Sequence, residues 1–211
     1  MKTTINKIKE YYYKHNMSLY ISLLGSFIMG TIHLIYVIFH FDWIVVNYCI
    51  FSYLMFFSKL WQWAIEKYHI KTNHFIAGII SMTIILFPMM ASFILTIMYR
   101  DTPHYIFDWL IYAYALYGTI KIIFAIKNIT KKDRNDKQYV LSSLALIGAL
   151  YTIQMMEFSL ITTFSDNEVD NSMYLMQLFT QGAIFLVSIF IIGLFIYKLI
   201  SNKKTKIRIN R

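Results

Sequence analysis

Residues Tyr139–Phe164 read YVLSSLALIGALYTIQMMEFSLITTF, and this stretch decides the fold class. As a helix these 26 residues rise about 39 Å, at 1.5 Å per residue, enough to cross a ~30 Å hydrocarbon core. The run is continuous and does not alternate apolar with polar, which excludes the β-barrel strand pattern. Within it stand Gln154 and, one turn later, Glu157, the one acidic side chain that falls inside a predicted span away from its first turn.

Five similar blocks surround it. The predicted spans are about 17–39, 43–65, 75–99, 105–126, 139–164 and 172–200, between a basic segment 1–16 and a basic tail 201–211. Composition agrees: 58% of the 211 residues are hydrophobic, 18% aromatic and only 15% charged, with a mean hydropathy of +0.52. A soluble domain carries about a quarter charged residues. The expectation is an all-α, six-transmembrane-helix bundle forming one membrane domain. Short connections predict three antiparallel helical hairpins. Pro88 should kink the third span, and Thr102-Pro103 reads as a cap opening the fourth.

Charge sets the expected orientation. Nineteen Lys and Arg, Lys59, Lys121 and Lys198 among them, fall at one end of the predicted helices, and Arg100 alone at the other. By the positive-inside rule both termini are cytoplasmic. The net charge of +9 then faces anionic lipid at the inner surface, and nucleic acid is not needed as a partner. The opposite end is acidic, with Asp42, Asp101, Asp108, Asp166, Glu168 and Asp170. The first block is too long for a signal-peptide core and has no small-residue cleavage site, so no cleavable signal is expected. Lysine outnumbers arginine 16 to 4, with much Ile, Asn and Tyr, a bias associated with AT-rich bacterial genomes.

Several residues are candidates for a site. A carboxylate inside a membrane costs about 2–3 kcal/mol even on insertion scales, so Glu157 should be protonated, paired or facing a wet cavity. It lies about 10 Å below the outer end of its helix at 1.5 Å per residue. His33 matches that depth on the first span, which predicts a Glu157–His33 pair assisted by Gln154 and a hydroxyl of Tyr112, Tyr114 or Tyr117. Such a group reads either as a substrate or proton site opening outward or as a pair that only fixes helix order. Lys59, Gln62 and Glu66 share a face of the second span by i, i+3, i+7 spacing, and Lys121 reaches a comparable depth on the fourth. These suggest a cytoplasmic-side anion or lipid-headgroup pocket; snorkelling of the lysines explains them without one.

The loop SDNEVDNS sets Asp166, Glu168 and Asp170 at alternate positions, as a calcium loop begins. Asn171 stands where that loop needs glycine and Gln177 where it needs a bidentate acid, so metal binding there is weak and helix capping is the simpler role. Cys49 is alone, which excludes an internal disulfide. Small residues recur at Ser22, Ser26 and Gly30, at Ala145 and Ala149, and at Gly148 and Thr152, marking close helix contacts. The histidines form no defensible metal or haem set. No nucleophile elbow, zinc-protease, Walker or C-x-x-C signature is present, and no cofactor is implied.

The back half, YALYGTIKIIFAIKN through YVLSSLALIGALYTIQMMEFSLITTF to IFLVSIFIIGLFIYKLI, resembles uncharacterised six-helix membrane proteins of low-GC Gram-positive bacteria. That resemblance implies architecture and no activity. In size and helix count the chain is also similar to the substrate-binding subunits of energy-coupling-factor vitamin transporters. The ridge Ser22, Ser26, Gly30 resembles their small-residue coupling face, whereas the few Gly and Pro residues and the lack of a vitamin-site loop depart from them. The leading expectation is a non-enzymatic, multi-pass bacterial inner-membrane protein acting with a partner membrane protein or as a homo-oligomer. The alternative is a small-solute transporter or its binding subunit, with an outward-facing pocket around Glu157. A membrane enzyme acting on lipid has least to support it.

Overall fold

A computed structural model of the chain describes residues 17–98, 108–129, 135–164 and 171–209, and it is all helical apart from short connections. The helices are α1 (Met17–Phe39), α2 (Trp43–Lys67), α3 (His74–Met98), α4 (Asp108–Ile129), α5 (Asp136–Phe164) and α6 (Asn171–Ile209). Five of them, all but α4, are long and apolar enough among the described residues to cross a membrane. The chain is a multi-pass helical membrane protein. Segment 1–16, Arg100, Thr102-Pro103 and the Asp166, Glu168, Asp170 loop lie outside the described residues, as does the side chain of Tyr114.

Local chemistry sets the helix ends. Asp42 is the N-cap of α2, its carboxylate accepting from the Ile44 N–H at 2.7 Å. Asn73 caps α3 through the Phe75 N–H at 2.8 Å, and Asn135 caps α5 through the Gln138 N–H at 2.8 Å. The last of these explains why α5 starts at Asp136, ahead of the apolar run that begins at Tyr139. α2 closes with paired bonds, Ile70 N–H to Ile65 O and His69 N–H to Glu66 O, around His69 at φ 50°. This is a Schellman turn with histidine where glycine is usual. α6 runs 39 residues, so the part of the basic tail through Ile209 continues the last span as helix.

Among the described residues the packing does not simply follow sequence order. α1 lies against α2 and α5 against α6, but α3 packs on α2 and α6, while α4 packs chiefly on α5. The reason is the apolar faces of α3: Phe75, Met82 and Ile85 are fully buried and join Val140, Leu144 and Ile147 of α5 and Phe195 of α6. Gly78 permits this crossing, since a Cβ there would sit 2.9 Å from Val140 Cγ1 and 3.0 Å from Phe195 Cε2. α2, α3, α5 and α6 thus supply most of the core, with α1 and α4 on its flank. α3 continues as helix through the buried Pro88, whose carbonyl accepts from Asn47 Nδ2 at 2.8 Å. At the basic end of the bundle, Lys137 of α5 pairs with Glu66 of α2.

Candidate functional site

Where the flanking helices α1 and α4 meet α2 and α5, the packing leaves a cavity of about 30 Å³. Its polar wall is Ser26 and His33 of α1, Tyr48 and Ser52 of α2, Tyr117 and Lys121 of α4, and Tyr151 and Thr152 of α5. Met29, Phe51, Met55 and Met155 supply much of the apolar remainder. Each helix brings a small residue or a hydroxyl to the crossing. Gly25 lets α4 approach α1, because a Cβ there would sit 2.9 Å from the Tyr117 hydroxyl. Gly148 does the same between α5 and α2, where a Cβ would sit 2.9 Å from Met55 Cε and 3.8 Å from Lys121 Nζ.

Two lysines converge here. Lys121 Nζ reaches Thr152 Oγ1 at 3.5 Å and lies 4.4 Å from the centre of the Tyr117 ring, a cation–π distance. Lys59 stands one hydrogen bond behind the wall: its Nζ donates to Ser26 Oγ at 2.7 Å and to the Ser22 carbonyl at 3.3 Å. Only 2% of Lys59 is exposed, and it is among the largest fully buried side chains. It is therefore not snorkelling. Both lysines are eight residues from the basic ends of their helices, about 12 Å at 1.5 Å per residue and further than a four-carbon stem covers. Lys121 is close enough to Lys59 and to His33 for their charges to couple. Among the described residues neither lysine has a carboxylate partner.

The other predicted residues fall elsewhere. His33 is 4% exposed and stacks on Tyr48 with ring centres 6.2 Å apart, at the cavity. Glu157 does not line that cavity. Its Oε1 accepts from Thr180 Oγ1 of α6 at 3.3 Å. His33 instead shares the cavity with Lys121 and Thr152, and Glu157 stands five residues beyond Thr152 on α5, so His33 is at the level of Lys121. Gln154 is buried and donates to Ser92 Oγ of α3 at 3.0 Å. Gln62 is fully buried but clamps the α2–α3 turn, bonding the His74 ring at 2.9 Å and the His74 carbonyl at 3.3 Å. It takes no part in a pocket with Lys59.

Sequence reasoning gave Ser26 and Thr152 only a packing role, and it passed over Asn47, Ser92 and Tyr151. Asn47 bonds the Tyr151 hydroxyl at 3.1 Å, and Tyr151 in turn reaches Ser92. A polar seam thus runs from the cavity through α2, α3 and α5, and Gln181 of α6 extends it by bonding Thr96 Oγ1 at 2.8 Å. The signal was present as hydroxyls and amides spaced along apolar helices, groups that seek partners across helices in a membrane. The ridge Ser22, Ser26, Gly30 is used inside the chain: the two serines hold Lys59, and a Cβ at Gly30 would sit 3.2 Å from the Tyr53 ring. Among the described residues no three His, Cys, Asp or Glu side chains are grouped as a metal would need.

No family model, curated protein or solved structure matches the chain.

Proposed function

We propose that this is a non-enzymatic inner-membrane protein that binds a small solute inside its bundle, as a transporter or a membrane-embedded binding subunit. The site is the cavity among α1, α2, α4 and α5, with Lys121, Tyr117 and His33 facing the solute and Lys59 supporting Ser26 from behind. In this reading both termini are cytoplasmic, and the site lies nearer the cytoplasmic surface than the outward position inferred for Glu157.

The observation that carries the reading is the burial of Lys59. A lysine in a membrane interior without a carboxylate is costly, and such residues mark solute or ion pathways. Replacing a buried charge by apolar groups of similar volume is often neutral or stabilising, whereas a binding site requires the charge.

Thiol labelling tests this. In a Cys49→Ser background and nitrate buffer, Thr152→Cys should react with silver ion, a thiol reagent small enough for the cavity, more slowly than the exposed control Asn202→Cys. No reaction at Thr152→Cys from either side of the membrane, with the control fully labelled, would sink the reading.

A further inference from the structure

Resting on that reading, we propose that the solute is a small inorganic anion of halide size. Charge gives the first argument. Lys59 and Lys121 place two cationic side chains in the bundle interior, and the described ion pair, Lys137–Glu66, lies away from them at the basic end. Buried charges are retained where something of opposite sign compensates them. No described carboxylate does so here, and a bound anion would.

Hydrogen bonding gives the second. The Thr152 hydroxyl donates to the Gly148 carbonyl at 2.7 Å and the Ser26 hydroxyl to the Ser22 carbonyl at 3.1 Å. Both oxygens therefore serve as acceptors for the lysines, and their protons are spent within their own helices. Lys59 uses its protons on Ser26 and Ser22, whereas Lys121 makes only the long bond to Thr152. An ammonium has three N–H groups. Lys121 thus keeps donors for the cavity, joined by the Tyr117 hydroxyl, which no described protein group takes up. The wall presents donors and positive charge, the complement of an anion.

Size gives the third. A cavity of about 30 Å³ holds one or two water-sized species. Organic ligands need roughly 300–1,000 Å³. The apolar part of the lining, Met29, Met55, Met155 and Phe51, is polarisable, surroundings that suit a large, weakly hydrated monatomic anion better than a strongly hydrated one.

The test is the thermal stability of the purified full chain in detergent, in sodium chloride or bromide against sodium gluconate at matched ionic strength. Gluconate is too large for the cavity. A halide at a hundredfold over its Kd should raise Tm by about 5–10 °C through mass action. Lys121→Met should lose that shift. Equal Tm for the wild type in halide and gluconate overturns the proposal, as does a Lys121→Met variant that keeps the full shift. If Thr152→Cys labels while halide has no effect, the anion assignment fails and the solute site stands; if neither responds, both fail.

Discussion

Replacing Lys59 by methionine separates a binding role from a structural one. Methionine keeps the length and flexibility of the stem, so the packing around a side chain that is 2% exposed is preserved. Two hydrogen bonds are lost, to Ser26 Oγ and to the Ser22 carbonyl. Bonds to a charged group are worth about 1.5–3 kcal/mol each. Against this, the desolvation cost of the buried ammonium, several kcal/mol, disappears. No buried acceptor is stranded: Ser26 Oγ still donates to the Ser22 carbonyl at 3.1 Å. The two terms nearly cancel, and replacing buried charge by well-packed apolar groups is often neutral or stabilising by about 1–4 kcal/mol. For a chain of this length each kcal/mol moves Tm by about 2–4 °C. Thermal unfolding in detergent without halide should therefore show Lys59→Met unchanged or raised by a few degrees, with solute binding lost. A fall of more than about 6 °C, equivalent to over 2 kcal/mol, would show that Lys59 holds the helices together, and the argument from its burial would collapse.

Three further outcomes follow from the packing. Gly78→Ala pushes a methyl into Val140 and Phe195, both fully buried, so it should cost about 1–3 kcal/mol less up to ~1 kcal/mol of helix propensity; a raised Tm would contradict the close α3 crossing. His69→Gly relieves a left-handed residue in the Schellman turn and should stabilise by about 0.5–1 kcal/mol; chemical denaturation showing a loss would mean that the φ of 50° is not kept. Glu157→Gln keeps an oxygen that can accept from Thr180, so stability should change by less than about 1 kcal/mol and halide response should persist. Loss of that response would return Glu157 to the site.

How much of this could be read from the chain depends on the kind of information each feature needs. The helices were legible because apolar blocks of the required length are a one-dimensional signal; the capping roles of Asp42 and Asn73 emerge only from the structure. Relative depth and direction around the helix axis were not legible. Counting sets His33 level with Glu157, whereas His33 lines the cavity with Lys121 and Thr152 and Glu157 accepts from Thr180 of α6. Lys59 shares a sequence pattern with any snorkelling lysine, and only the approach of Ser22 and Ser26 from α1 distinguishes it. The pairing of α3 with α6 was likewise hidden, because it rests on Phe75, Gly78 and Phe195 fitting one another across more than a hundred residues of chain.

In the proposed site Lys121 faces a cavity that small molecules reach, while Lys59 stands behind its wall. Reductive methylation of intact membranes with formaldehyde and an amine–borane, read by peptide mass spectrometry, measures this directly. Lys121 should be methylated in the folded protein and Lys59 spared until the protein is unfolded. If Lys121 is spared as completely as Lys59, the cavity is closed packing and the proposed site does not exist.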